Sequence, residues 1–132
     1  MAYYSFTKAI KEKETIILNN NGNMYRDMTF IDDIVQGILG AIEFVFRQEN
    51  LNKHEIFNLG NDAPIKISHM LHKLEKILGQ KALIKQNITE NEALKTHADI
   101  TKAKNLLGYE PKVCFDEGIE RFLDWYKKYE NL

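Results

Sequence analysis

Apolar and polar positions change period several times along the chain, and each change marks an element. Residues 3–12 place Phe6, Ala9 and Ile10 on one helical face. Thr15 to Leu18 is β-branched and apolar and predicts a strand. It runs into Asn19-Asn20-Asn21-Gly22-Asn23, a strong turn signal. Residues 28–31 predict a short extended stretch before Asp32-Asp33, which offers N-cap chemistry for the next helix. That helix carries Ile34, Ile38, Ala41, Ile42, Val45 and Phe46 at helical spacing, with Val35 and Leu39 beside them. So wide an apolar stripe predicts a helix sandwiched between two layers.

Ile56-Phe57-Asn58-Leu59 reads as a short buried strand that ends in the turn Gly60-Asn61-Asp62. Ser68 is a candidate cap for a helix bearing Met70, Leu71, Leu74, Ile77 and Leu78, and Gly79 suits its C′ position. Ala82 to Lys85 alternates as a strand does, residues 86–98 are polar and irregular, and Asp99 can cap a short helix ending at Leu107-Gly108. A last helix carries Phe115, Ile119, Phe122, Tyr126 and Tyr129, spaced by four, three, four and three. Helices alternating with strands predict an α/β fold, with residues 1–132 as a single domain.

Composition removes several classes of function. The 132 residues are 44% hydrophobic and 11% aromatic at a net charge of -1, which argues against intrinsic disorder. Eighteen basic and nineteen acidic residues are interspersed, so no nucleic-acid partner is expected. No apolar run approaches the roughly 20 residues of a membrane span, and no basic-then-apolar leader opens the sequence. No membrane partner is expected either. The single cysteine, Cys114, suits a reducing cytoplasm, and burial in the core is its default role.

Four patterns carry potential chemistry. Gly37 and Gly40 fall inside a helix and not in a strand-to-helix turn, so close packing is favoured over phosphate binding. Tyr4 and Lys8 have the Tyr-x-x-x-Lys spacing that lets a lysine lower a tyrosine pKa, but a surface helix explains the spacing better. His69 and His72 share a helix face without a matching third ligand, and His54 and His97 are isolated in sequence, so solvated or capping roles are favoured over a metal. Arg26, beside a strand end and an Asn/Gly turn, is suited to bidentate contact with a phosphate. A surface salt bridge has equal weight on composition alone.

Longer motifs sharpen this. The run Arg26-Asp27-Met28-Thr29-Phe30-Ile31-Asp32-Asp33-Ile34-Val35-Gln36-Gly37 resembles the "RDFTYIDDIVEG" signature of extended short-chain dehydrogenase/reductases. More narrowly, it is similar to the UDP-glucuronate 4-epimerase branch of the nucleotide-sugar epimerases. Residues 1–10 resemble the segment after that family's "GRPD" element, and Phe57-Asn58-Leu59-Gly60-Asn61 resembles its "YNIGN". Thr96-His97-Ala98-Asp99 resembles its "T-x-AD". Gly108-Tyr109-Glu110-Pro111-Lys112, with Glu117-Gly118-Ile119 and Trp125-Tyr126, resembles its "GFxPKTSLEEGIxxFVxWY".

The resemblance implies the small substrate-binding carboxy-terminal portion of such an enzyme, with the Rossmann half absent. Family chemistry is transient oxidation at C4 of a UDP-sugar, in which a tyrosinate takes the hydroxyl proton and NAD takes and returns the hydride. The glycine turn for NAD and the catalytic Tyr-x-x-x-Lys belong to the family's amino-terminal half. No cofactor is therefore expected in this chain alone, and Tyr4 and Lys8 are a decoy. The implied ligand is a UDP-sugar, with Ile17, Leu18 and Asn19 against the uracil through backbone hydrogen bonds, Arg26 at the diphosphate, and Glu92 and Thr96 completing the UDP site. Where the family loop reads "(R/Q)PGDVP", this chain has Glu90-Asn91-Glu92-Ala93-Leu94. Thr89 stands where many relatives have a second phosphate-binding arginine, and Glu90 adds negative charge, so weakened UDP binding is expected. Further implied partners are a separate amino-terminal Rossmann half and, for the isolated chain, copies of itself in a homo-oligomer. A non-catalytic UDP-sugar-binding module and a folded remnant without ligand are the alternatives.

Overall fold

The computed structural model describes residues 1–47, Glu49 and 54–130. In chain order the elements are α1 (Ala2–Glu12), β1 (Thr15–Asn19), β2 (Tyr25–Arg26), α2 (Ile31–Phe46), β3 (Ile65–Lys66), α3 (Ile67–Leu78), β4 (Leu83–Asn87), α4 (Thr101–Leu107) and α5 (Phe115–Tyr129). They fall into two compact units. The first takes Met1–Arg26, Ile65–Thr96 and Ile119–Leu132, and the second takes Asp27–Pro64 and His97–Gly118. No helix among the described residues is long and apolar enough to cross a membrane.

In the first unit β1 and β4 pair in parallel, from Thr15 opposite Leu83 to Asn19 opposite Asn87. Strand periodicity sends Ile16 and Leu18 into the core and leaves Thr15 and Ile17 outside. The helices bury residues at helical spacing: Ile67, Met70, Leu71 and Leu74 of α3, and Ile119, Leu123 and Tyr126 of α5. From α1 come Ile10 and Thr7, whose buried hydroxyl donates to the Tyr3 carbonyl at 2.7 Å. The short β2 pairs with β3 antiparallel. Between β1 and β2 the chain turns through Asn20 (φ 48°), Asn21 (φ 56°) and Gly22 (φ 70°), left-handed conformations that asparagine and glycine tolerate best. Gly22 also has no room for a side chain, since a Cβ there would lie 2.9 Å from the Ser68 nitrogen.

The predicted caps are partly corrected. Gly79 does terminate α3 in the left-handed conformation, whereas the N-cap position of α4 is Ile100, and Asp99, one residue earlier, accepts the Thr101 N–H at 2.9 Å from outside it. Ser68, however, lies inside the first turn of α3, and Lys66 occupies the N-cap position without a side-chain cap.

The second unit packs Phe44, Ile100, Ala103, Leu107 and Tyr109 together, with Ala41, Phe57, Leu59 and Ala98 partly buried around them. Gly37 and Gly40 are the close-packing glycines of α2: a Cβ on Gly37 would meet the Leu59 side chain at 2.6 Å, and one on Gly40 would meet the Leu107 carbonyl at 3.0 Å. Asp33 does not cap α2, which begins at Ile31. Its buried carboxylate accepts the Lys112 and Val113 N–H groups at 2.9 and 3.1 Å, a long-range use that no local pattern announces.

Three other expectations change in this unit. Ile56–Leu59 forms no strand. Phe57 and Leu59 reach the core from irregular backbone, whose turn is held by Asp27 accepting the Asn61, Asp62 and Ala98 N–H groups at 3.1, 3.3 and 3.2 Å. Cys114 is exposed. The outer face of α2 is open, with Val35, Ile38, Leu39, Ile42, Val45 and Phe46 exposed by 44% to 75%, where the sequence predicted a sandwiched helix.

The Asp27-bound turn is tight at Gly60, where a Cβ would come within 2.5 Å of the Ala98 Cβ and 2.6 Å of an Asp27 carboxylate oxygen. Neither neighbour is a flexible chain end. Gly60→Ala is expected to lower stability by roughly 1–3 kcal/mol through overpacking and loss of the Asp27 bonds. Chemical denaturation checks this, with Gly79→Ala, which meets no atom within 4 Å, reporting the cost of left-handed strain alone.

Candidate functional site

The polar residues of the first unit gather where β1 and β4 end. Parallel strands finish side by side at Asn19 and Asn87, and the Asn87 side-chain amide donates to Asn19 Oδ1 at 2.7 Å. Asn20 continues the pairing: its Nδ2 donates to the Thr89 carbonyl at 2.9 Å and its Oδ1 accepts the Thr89 N–H at 3.0 Å. One side chain thereby satisfies both backbone groups of a residue that has left the strand. The loop then returns along β2, where Tyr25 donates to the Leu94 carbonyl at 2.8 Å and its own carbonyl accepts the Thr96 N–H at 3.1 Å.

Arg26 lies against this loop. Its Nη1 donates to the Ala93 carbonyl at 2.9 Å and to the Tyr25 carbonyl at 2.8 Å. Its Nη2 lies 3.5 Å from Glu92 Oε2, and Glu92 Oε1 accepts from Asn19 Nδ2 at 2.8 Å. Nη2 also lies 3.8 Å from the Met24 sulfur, so the guanidinium is held at both terminal nitrogens, with the side chain 27% exposed.

Of the six residues anticipated for a UDP site, the fold therefore joins Asn19, Arg26 and Glu92 directly and attaches Thr96 through its backbone. Ile17 is 62% exposed on the outer face of β1. Leu18 is buried and offers a ligand only its backbone. Sequence reading missed Asn20 and Asn87. Their signal was present in the asparagine run and in the polar end of the second strand, but the long-range partners were not. The segment 86–98, irregular in pattern, supplies Glu92 and Thr96, which the resemblance implied, and the Thr89, Ala93 and Leu94 carbonyls, which no pattern announced.

Other candidates resolve simply. His97 is not isolated: its Nε2 lies 2.9 Å from Asp62 Oδ1, a bond that, with Lys104, holds the Asp62 carboxyl below its usual range. His72 lies 3.9 Å from Glu75. No group of three or more metal-capable side chains occurs among the described residues. Nor do these residues fit a dinucleotide cradle. Gly37 and Gly40 are packed inside α2, and Gly79 and Gly108 cap helix ends.

The chain resembles known proteins over nearly its whole length. No family model matches the chain. An uncharacterized protein of Methanocaldococcus jannaschii is 43% identical over 127 residues, covering 96% of this chain and 37% of its own length. UDP-glucuronate 4-epimerase 5 of Arabidopsis thaliana is 37% identical over 138 residues, covering 96% of this chain and 32% of its own. Among solved structures, UDP-glucuronic acid 4-epimerase from Bacillus cereus, in complex with UDP-glucuronic acid and NAD, superimposes with a TM-score of 0.83 at 32% identity. It covers 98% of this chain and 40% of that one. The chain thus spans about a third to two-fifths of the length of the relatives it matches. In class it matches the carboxy-terminal part of extended short-chain dehydrogenase/reductase epimerases, of which the Bacillus cereus relative is solved with NAD. Within that class its sequence is UDP-glucuronate 4-epimerase-like.

Tyr4, the decoy of the Tyr-x-x-x-Lys spacing, is set against base chemistry by its surroundings. Its hydroxyl donates to Glu130 Oε1 at 2.9 Å, and this bond, with desolvation, pushes its pKa up to about 12. A catalytic tyrosinate needs the opposite shift. Lys8 lies 3.9 Å from Glu12. Glu130→Gln is expected to return the Tyr4 pKa toward 10, read as tyrosinate absorbance between pH 9 and 12. Because the folded-state pKa is raised, the stabilisation from neutral Tyr4 is complete below about pH 10 and is lost as pH rises through about 12.

Proposed function

We propose that this chain is the part of a UDP-sugar epimerase that holds the uridine diphosphate, and that epimerisation requires a separate amino-terminal half. The observation that carries the reading is the gathering of Asn19, Arg26 and the 89–96 loop at the carboxyl ends of two parallel strands. Ligands of α/β sheets bind at that edge, where strand ends and loops leave backbone groups and side chains facing outward. Two relatives support the choice of ligand: the Bacillus cereus epimerase solved with UDP-glucuronic acid, and a UDP-glucose 4-epimerase of Thermotoga maritima solved with UDP-glucose, at 26% identity.

In this reading the backbone of Ile17, Leu18 and Asn19 meets the uracil, Arg26 meets the diphosphate, and Glu92 and Thr96 complete the site. Glu92, which only accepts hydrogen bonds when ionised, suits a sugar hydroxyl and not a phosphate. Thr89 supplies no positive charge, and its hydroxyl accepts the Asn91 N–H at 3.2 Å, so the diphosphate relies on Arg26. The chain's task is to fix the nucleotide while the hexose is processed elsewhere.

The open face of α2 belongs to the same reading. Ile38, Ile42 and Val45 border a groove of about 340 Å³ whose other wall is Phe57, Leu59 and Leu107. An apolar surface of this kind favours association. The purified chain is expected to self-associate through α2, and Ile42→Glu to reduce that association. Light scattering that finds a stable monomer at high concentration would count against it.

A calorimetric titration with UDP tests the central assignment. A charge-assisted bond contributes about 1.5–3 kcal/mol, so Arg26→Ala is expected to weaken binding roughly tenfold or more. Absence of UDP binding up to millimolar concentration, or binding indifferent to Arg26→Ala, would overturn the reading.

A further inference from the structure

We propose that Glu92 determines which anions the cradle admits, by occupying the donors that a free phosphate would use. The inference deepens the reading above and rests on Arg26 as the diphosphate contact. Both Glu92 oxygens are committed, Oε1 to Asn19 Nδ2 at 2.8 Å and Oε2 to the Arg26 guanidinium at 3.5 Å.

The hydrogen-bond chemistry leaves one consistent arrangement. An ionised carboxylate only accepts, so Asn19 must present its NH2 to Glu92. Its carbonyl oxygen is then directed to Asn87, which in turn must donate, as the 2.7 Å contact from Asn87 Nδ2 has it. Asn87 is thereby a positioning residue: it fixes the Asn19 amide with its donor toward the site. The result is a charged and a neutral donor converging on one carboxylate, the donor set that binds anions. The chain's own anion fills it.

This arrangement has a consequence for selectivity. Arg26 and Glu92 together carry no net charge, and Glu90 on the same loop adds a negative one. Inorganic phosphate or pyrophosphate approaching Arg26 meets repulsion from Glu92 and must displace it with no other contact in exchange. A nucleoside diphosphate also contacts β1 through its base, and those contacts offset the displacement. Glu92 therefore selects nucleotide-linked diphosphates over free ones, and its charge is the selecting element.

Titrations of inorganic pyrophosphate and of UDP into the wild-type chain, Glu92→Gln and the double variant Glu92→Gln/Arg26→Ala separate the possibilities. Gln keeps an acceptor for Asn19, removes the charge and turns the Oε2 that faces Arg26 into an amide NH2. Pyrophosphate affinity is expected to rise roughly threefold to tenfold in Glu92→Gln, the scale of a part-exposed ion pair together with a relieved repulsion. The gain disappears in the double variant, and the preference for UDP over pyrophosphate narrows. Glu92→Ala, which also removes the acceptor, is expected to show a gain of the same sign. Unchanged pyrophosphate binding in Glu92→Gln, or a gain that survives loss of Arg26, would overturn the inference. A pyrophosphate gain without UDP binding to any form would refute the uridine diphosphate reading and leave the role of Glu92 standing. Arg26-dependent UDP binding without that gain would do the reverse.

Discussion

The site depends on the parallel register of β1 and β4 and on its prolongation by Asn20. Asn19 and Asn87 face each other only because Thr15 pairs with Leu83 four residues earlier. Beyond the last pair, the Asn20 side chain takes over both backbone groups of Thr89, at 2.9 and 3.0 Å. A slip of one residue would turn Ile16 and Leu18 out of the core and carry Glu92 away from Asn19 and Arg26. Burial of those two side chains therefore enforces the geometry of the polar cluster at the strand ends. Stability of the strand pair and placement of the site are one constraint.

The second unit solves a related problem by similar means. Its irregular segments have backbone N–H groups without ladder partners, and carboxylates supply the acceptors. Asp27 holds three N–H groups from two separate stretches, and buried Asp33 holds two. Tyr109 adds a buried hydroxyl that donates to the Gly60 carbonyl at 2.8 Å, and burial pushes its pKa up from the ordinary tyrosine value. Leaving such groups unmatched would cost about 1–3 kcal/mol each. The open apolar face of α2 is what remains once this unit has filled its own core.

Much of this was legible in the sequence where periodicity was regular. The helices anchored by Leu74 and by Ile119 and Tyr126, the strand at Ile16 and Leu18, and the glycine stop at Gly79 follow from local spacing and backbone preference, whereas Leu123, and not the expected Tyr129, completes the buried face of α5. Ile56–Leu59 misled because a short apolar run looks the same whether a ladder or a side-chain acceptor completes its backbone. Asp33 looked like a cap because its partners, Lys112 and Val113, lie about eighty positions away. In the candidate site, Arg26 and Asn19 stood out through turn chemistry and family resemblance. Asn20 and Asn87 did not, since their meaning lies in which strands pair, and pairing is a long-range choice. Residues 89–96 looked irregular because their order comes from contacts with β1 and β2 and not from their own pattern.

Amide hydrogen exchange of the chain, with and without saturating UDP, reads directly whether the nucleotide sits at the ends of β1 and β4. Added protection is expected at residues 17–19, 25–26 and 89–96, with the amides of α2 unchanged. Protection confined to α2 and residues 57–59, or no change around Arg26 and the 89–96 loop, would contradict it.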